Sequence, residues 1–278
     1  MTAKKTRYKS MIRSILGIVF VLVFLFPIYW MIISSLKSSG EIFKVPPSFV
    51  PENIYFENYL ALFRNRDFFN YLKNSTIISV FSMIGAIILA APMAYALARK
   101  RVKGLDALLF FIIIIQMVPG NSMALPLYGM FSKWHITNSY FGIIIANITS
   151  SLPFIVLVLR TSFLDISQAL EDAARIDGCS AWGTFLKIIM PTALPGYVAV
   201  GVLAFLMAWD EFLYALIFTT SKTSKTLTVA VSEFGTKYGI DYGMMMTAGL
   251  LATVIPMVLA LIFQRYIVGG LTAGAVKG

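Results

Sequence analysis

Six long stretches with few or no charged side chains constrain this chain more than any other feature. Five of them carry no charge and cover residues 14–35, 75–98, 107–128, 138–159 and 244–263. The sixth covers residues 192–219 and carries Asp210 and Glu211 late in its course. Because a helix needs about 20 apolar residues to cross the hydrocarbon core, the pattern predicts an all-α membrane protein with six transmembrane helices.

The composition agrees with a membrane protein and disfavours other classes. Apolar residues make up 58% of the chain and charged residues 13%, against roughly 45–50% and 25% in soluble domains. This disfavours a soluble enzyme and a disordered protein, and a single cysteine, Cys179, allows no intrachain disulfide. The apolar stretches lack the alternating pattern of an outer-membrane barrel.

The basic residues predict the orientation of the spans. Five Lys and Arg residues precede the first span, and four lie within the short loop 99–104. Short loops rich in Lys and Arg face the cytoplasm, so both termini are expected there. The first apolar run is longer than a signal-peptide core, which favours an uncleaved span. The net charge of +10 is then explained by membrane orientation rather than by nucleic-acid binding.

Two segments outside the spans have structure of their own. On the outer side, residues 37–74 begin with an extended, proline-containing part and continue as an amphipathic helix expected at the membrane interface. On the inner side, residues 160–191 contain good helix formers but are too polar to span. They predict a helix at 168–176 that Gly178 ends, then a second helix that Ser180 caps and Pro191 stops.

Periodicity alone leaves two interpretations of this inner elbow open. It could dock a partner protein, with Trp182 and Phe185 as apolar anchors and its charged residues pairing across the interface. It could equally be an amphipathic elbow that only packs under its own helical bundle.

The inner elbow resembles the EAA loop of permease subunits of ATP-binding-cassette importers. That family's pattern is Glu-Ala-Ala, three residues, Gly, nine residues and then Ile-x-Leu-Pro. The chain matches it at these positions: Asp172, Ala173, Ala174, Gly178, Ile188 and Pro191. It departs at Asp172, where Glu is usual, and at Met190, where Leu is usual, but both changes preserve the charge or the apolar character.

Other strings resemble the carbohydrate-uptake branch of that family, the maltose-type permeases. These strings are Ala173–Gly178, the Trp209–Leu213 sequence and the tail from Phe263 to Gly278. The resemblance covers essentially the whole chain and is greatest to the smaller, six-span permease of the pair. It implies a type I importer permease fold, a single transmembrane domain over residues 1–278 and a place in the bacterial cytoplasmic membrane.

The resemblance also implies partners and a division of labour. The chain would form half of the pathway of an ATP-driven sugar importer, its cargo an oligosaccharide, with a second homologous permease. Two cytoplasmic ATPase subunits would bind ATP and Mg, and an extracytoplasmic sugar-binding protein would deliver the cargo. The chain itself would bind no cofactor and be no enzyme, and it contains no Gly-x-x-x-x-Gly-Lys-Ser/Thr phosphate loop.

The same resemblance implies which residues contact the ATPase. The expected contact set is Glu171, Asp172, Ala173, Ala174, Arg175, Asp177 and Gly178. In the family the acidic position pairs with a basic group of the ATPase. Asp172 is the candidate for that pairing, with Glu171 as the adjacent substitute.

Candidates for the substrate pathway come from the interrupted spans. They are Asn121, Trp209, Asp210, Glu211, Phe212 and Tyr214. Carboxylates within a membrane span suggest a function, whereas a solvated outer vestibule would explain the same pair without one. Likewise, Pro119 and Pro126 in the third window fit either a transport site or a simple kink.

The sequence also bears on two other function classes. An ion-coupled secondary transporter or channel is the alternative, although one acidic pair cannot build a proton relay. A membrane-embedded enzyme would need a nucleophile–base pair or a metal cluster. No catalytic residue is predicted, and no metal site is expected, because His135 has no neighbouring His or Cys.

Overall fold

The computed structural model describes residues 2–99, 104–234 and 241–272 and contains only helices and connecting turns in these ranges. The helices, in chain order, are α1 (Thr2–Ser35), α2 (Ser39–Ile42), α3 (Glu57–Arg64), α4 (Arg66–Arg99), α5 (Leu105–Met117), α6 (Gly120–Lys133), α7 (Tyr140–Leu164), α8 (Gln168–Ile176), α9 (Ala181–Thr184), α10 (Met190–Thr192), α11 (Leu194–Trp209), α12 (Leu213–Phe218), α13 (Leu227–Glu233) and α14 (Tyr242–Thr272). A π-helical turn, Phe185–Ile189, joins α9 to α10. The all-helical prediction is confirmed for these residues.

Within the described ranges, four helices are long and apolar enough to cross a membrane, namely α1, α4, α7 and α14. The number rises to six if each of two bent pairs forms one span. The first pair, α5 and α6, is bent by 88°. In the second pair, Ala181–Thr192 and α11 are bent by 77°. By length and composition, the described residues therefore contain four to six candidate spans.

The structure differs from the predicted windows where the backbone is interrupted. Window 107–128 breaks at Val118, whose extended conformation is the one favoured before a proline. Window 192–219 is helical to Trp209 and resumes only in α12. The predicted interfacial helix ends at Arg64, and α4 begins at Arg66 rather than at residue 75.

The predicted orientation depends partly on residues that the structure does not describe. Lys100, Arg101 and Lys103 of the basic loop lie outside the described residues, as does the tail beyond residue 272. The cytoplasmic position of both termini therefore stays a prediction.

The chain divides into two compact units, and the first comprises residues 1–68 and 231–254. Inside it, the buried amide of Asn58 donates to the carbonyls of Ser35 and Lys37 at 3.2 and 3.3 Å. Thr247 donates to the same Ser35 carbonyl at 3.4 Å. A Cβ at Gly243 would lie 2.7 Å from the Asn58 amide nitrogen, so only glycine allows this close approach. These contacts hold α3 and the start of α14 against the end of α1.

Helix α1 leaves its apolar side chains uncovered within this unit. No residue in its most apolar window is buried, and Leu16, Phe20 and Phe24 are all more than half exposed. Such a continuous apolar surface is costly in water. Hydrocarbon is the solvent that suits it, which agrees with a membrane span.

The second unit comprises residues 69–230 and 255–278, and α7 lies at its centre. Buried residues of α7 pack between the small residues of α4 and the buried face of α11; they are Ile155, Val156, Leu159 and Phe163. On the α4 side the contacts are alanines, Ala86, Ala90 and Ala94. Small side chains let membrane helices approach closely. Phe185 and Ile189 of the inner elbow belong to the same core.

Candidate functional site

The local structure of the inner elbow agrees with the sequence prediction. Helix α8 covers Gln168–Ile176, and the Ser167 hydroxyl accepts from the Ala169 amide at 3.3 Å. Gly178 ends the helix with a φ of 83°, a conformation that costs glycine little. The Ser180 hydroxyl then caps the second helix by accepting from the Gly183 amide at 3.1 Å. These elements are confirmed.

The end of the elbow differs slightly from the prediction. Pro191 was expected to stop the second helix, but the helix continues to Thr192 through the π-helical turn. The 77° bend follows at Ala193, and Pro195 lies in the first turn of α11, where a missing amide proton is harmless. The elbow therefore turns sharply into α11.

One face of α8 points into the protein's own bundle. Glu171 is only 2% exposed and forms an ion pair with the Arg99 guanidinium of α4. The Tyr95 hydroxyl donates to its other carboxylate oxygen at 2.9 Å. Ala174, one turn further along α8, is equally buried. Glu171 and Ala174 are both among the predicted ATPase contacts, and the structure buries both on the face of α8 that packs against the chain's own helices.

The opposite face of α8 is open. From Asp172 to the turn that follows the helix, the exposed residues are Asp172, Ala173, Arg175, Ile176, Asp177 and Gly178. Asp172 and Arg175 lie 3.8 Å apart at their nearest charged atoms, and an ion pair this exposed adds little stability. Their charges are therefore available to a partner.

Two apolar side chains of the elbow are exposed as well. Ile176 is 86% exposed and Trp182 is 60% exposed. The Trp182 ring stacks on the buried Phe185 ring, with centroids 5.1 Å apart and planes inclined by 11°. The inner elbow thus has both characters that the sequence left open, with one face packed on its bundle and the other presenting apolar anchors.

The carboxylates of the window 192–219 have different surroundings. Both oxygens of Glu211 cap the first turn of α12, accepting from the Tyr214 and Ala215 amides at 2.6 and 3.0 Å. Asp210 is exposed, whereas Trp209 is buried and stacks on Phe205. Because Glu211 is engaged as a helix cap, it is poorly placed to act as a mobile proton carrier, which weakens the ion-coupled alternative.

A cavity of about 560 Å³ opens where α5 and α6 break apart. The polar groups that line it are Gln116, Thr149, Ser150 and Tyr214. The Tyr214 hydroxyl donates to the Gly120 carbonyl at 3.1 Å and thereby joins α12 to the break. Among the predicted pathway residues, only Tyr214 lines this cavity; Asn121, which follows Gly120, is exposed beside the break.

Sequence reasoning missed three of these lining residues. Gln116, Thr149 and Ser150 are polar side chains inside otherwise apolar windows. Their polarity was the available signal, since polar groups within a span mostly face a cavity or another helix. A volume of this size and a mixed apolar and hydrogen-bonding lining suit a small organic ligand.

Comparison with known proteins identifies the family. Residues 84–272 match the family described as binding-protein-dependent transport system inner membrane component. The chain belongs to this family, whose members are permease subunits of ABC transporters.

Particular relatives and a solved structure extend the comparison. The chain is 30% identical to the diacetylchitobiose uptake system permease protein DasC of Streptomyces coelicolor, over 99% of this chain and 100% of that one. It is 34% identical to the arabinooligosaccharides transport system permease protein AraQ of Bacillus subtilis, over 92% of both. The crystal structure of a bacterial ABC transporter involved in the import of alginate shares the fold, with a TM-score of 0.81 at 19% identity, over 96% of this chain and 99% of that one.

Proposed function

We propose that this chain is the permease subunit of an ATP-driven oligosaccharide importer in the bacterial cytoplasmic membrane. It would form a single permease domain of six spans with both termini in the cytoplasm. Two relatives that match along more than nine-tenths of the chain carry oligosaccharides in their names, which supports this substrate class. The chain forms half of the pathway, with a second homologous permease as the other half.

The chain contributes no catalysis of its own in this proposal. Its sequence has no phosphate loop, so two partner ATPase subunits bind ATP and Mg and supply the energy. An extracytoplasmic sugar-binding protein presents the cargo. ATP-driven movement of the ATPase dimer is passed to the spans as a rigid-body motion of the inner elbow, which is a common form of two-state switching.

The observation that carries the proposal is the outer face of the elbow. Ile176 is exposed one turn beyond the exposed carboxylate of Asp172 on α8, and Trp182 is exposed in α9 of the same elbow. Exposed aromatic and aliphatic anchors beside an available charge are typical of the centre and rim of a protein interface. We assign the ATPase contact to Asp172, Ala173, Arg175, Ile176, Asp177, Gly178 and Trp182.

Affinity purification in mild detergent tests this assignment. The tagged chain should retain a second permease and an ATPase, and Asp172→Lys should release the ATPase while the second permease stays bound. Asp106→Lys is the matched control, since it makes the same charge change at an exposed carboxylate in the first turn of α5. Purification of the chain without an ATPase, or equal loss in both variants, would contradict the proposal.

The cavity at the break between α5 and α6 is the proposed part of the sugar pathway. Tyr214 and Phe154 offer aromatic faces, and Gln116, Thr149 and Ser150 offer hydrogen bonds. Both kinds of contact suit hydroxylated ligands. Of the remaining candidates, Trp209, Asp210, Phe212 and Asn121 stay proposals for the outer approach to this cavity, while Glu211 serves the local structure.

A further inference from the structure

The buried partners of Glu171 connect α8 to a membrane span. One nitrogen of the Arg99 guanidinium donates to the Glu171 carboxylate, and another donates to the Ile166 carbonyl at 2.8 Å, just ahead of α8. The Tyr95 hydroxyl holds the second carboxylate oxygen at 2.9 Å. Two adjacent turns at the end of α4 therefore hold both the beginning and the middle of α8.

The end of α4 is in turn tied to α7. Arg160 of α7 donates to the Leu97 carbonyl at 3.1 Å. The Tyr95 ring also lies 4.9 Å from the Phe185 ring and 5.7 Å from the Phe163 ring. A displacement of α8 that reaches Arg99 is thus passed to two spans of the second unit.

Another side of α8 faces empty space. A cavity of about 460 Å³ lies at its N-terminal end, and its lining includes Ser162, Ser167, Leu170, Thr192, Pro195 and Arg265. These residues come from α8, its N-terminal flank and the ends of α7, α10, α11 and α14. Close-packed contacts resist displacement, whereas a void does not. Helix α8 therefore has a firm attachment to α4 and room to move relative to α11.

We propose that the ion pair between Arg99 and Glu171 is the link that makes α4 follow α8 when the ATPase moves the elbow. Glu171 is a positioning residue in this scheme, acting on α4 rather than on the ATPase. The inference rests on the proposed function, because the elbow moves only if an ATPase docks on it. It predicts that α8 and α4 keep their separation through the transport cycle while α8 and α11 change theirs.

Spin-label distances in the assembled transporter test the link directly. In a Cys179→Ser background, nitroxides replace the exposed residues Gln168 on α8 and Met93 on α4. The separation should change by less than about 2 Å between the resting and ATP-trapped states, because a linked pair of helices shifts together. A wild-type separation that changes by more on ATP binding would overturn the proposal.

Two carboxylate-to-amide variants distinguish the coupling of α8 to α4 from the binding of the ATPase. Glu171→Gln should keep the ATPase bound, lower the amount of sugar transported per ATP at least tenfold and make the label separation vary between states. Asp172→Asn, one residue along, should weaken ATPase binding and leave the label separation constant. If Glu171→Gln transports as much sugar per ATP as wild type, the proposed role of the Arg99–Glu171 ion pair is wrong. The assignment of the ATPase contacts would not be affected.

A charge-swapped variant covers the case in which Glu171→Gln fails to assemble. Arg99→Glu combined with Glu171→Arg restores an opposite pair at the same two positions. A constant label separation in this variant supports the link, and a separation that varies between states overturns it. Absence of any ATPase from the wild-type complex would instead refute the proposed function itself.

Discussion

Gly178 provides a test of how the elbow is built. Its backbone conformation favours glycine, although the space around it would admit a side chain. Its φ is 83°, and a Cβ added there would meet no atom within 4 Å. Any penalty for Gly178→Val is therefore conformational rather than steric. A β-branched residue in the left-handed region costs about 1–2 kcal/mol, which corresponds to roughly a 5- to 30-fold change in an equilibrium constant.

We expect this penalty to appear in ATPase binding. If the variant turn relaxes, Ile176 and Trp182 leave the arrangement that docks, and the apparent dissociation constant rises by the reciprocal of the docking-competent fraction. Titration of the ATPase against the permease pair in nanodiscs should show weakening of up to about 30-fold for Gly178→Val. Gly178→Asn should weaken binding less, because Asn tolerates this region better.

Gly104 is a matched control for the backbone argument. It has a φ of 87° and equally open surroundings, but it lies at the start of α5 rather than in the elbow. Gly104→Val should lower the thermal stability of the chain by a similar amount and leave ATPase affinity unchanged. Wild-type affinity in Gly178→Val, or equal loss of affinity in both variants, would refute the reasoning.

Two further predictions concern the other end of the second unit. Gln116→Ala and Tyr214→Phe each remove one hydrogen-bonding group from the α5–α6 cavity. The KM for uptake of radiolabelled oligosaccharides should therefore rise, while ATPase binding stays unchanged. An unaltered KM in both variants would show that the cavity is not part of the pathway. Glu211→Ala removes the cap of α12 and should destabilise the protein by about 1 kcal/mol. A lower melting temperature would show this. Loss of a proton-dependent uptake in this variant would instead favour ion coupling.

Several local features of the site were predictable because short-range chemistry decides them. The bounds of α8, the left-handed Gly178 and the Ser180 cap depend on residues within one turn of each other. Capping and glycine conformation act over that distance. The apolar windows likewise located the long helices, since the length and polarity of a segment alone decide whether it suits a bilayer.

The predicted windows differ from the structure where a helix breaks inside a long uncharged stretch. The third window carries no charge from end to end, yet α5 and α6 are bent by 88° at the break next to Pro119. Proline is compatible with either a mild kink or a full break, and neighbouring helices select between them. One such contact is the hydrogen bond from the Tyr214 hydroxyl to the carbonyl of Gly120 at the break, 94 residues earlier in the sequence.

The adjacent carboxylates Glu171 and Asp172 separate what sequence and tertiary structure each decide. The sequence alone establishes an acidic, amphipathic helix ended by Gly178, and so a candidate coupling element. It cannot say which carboxylate is buried. Neighbouring residues on a helix point about 100° apart, and the packing of α8 against the rest of the protein decides which of them is buried. Arg99, 72 residues earlier in the chain, pairs with Glu171 in the interior, while Asp172 stays in solvent.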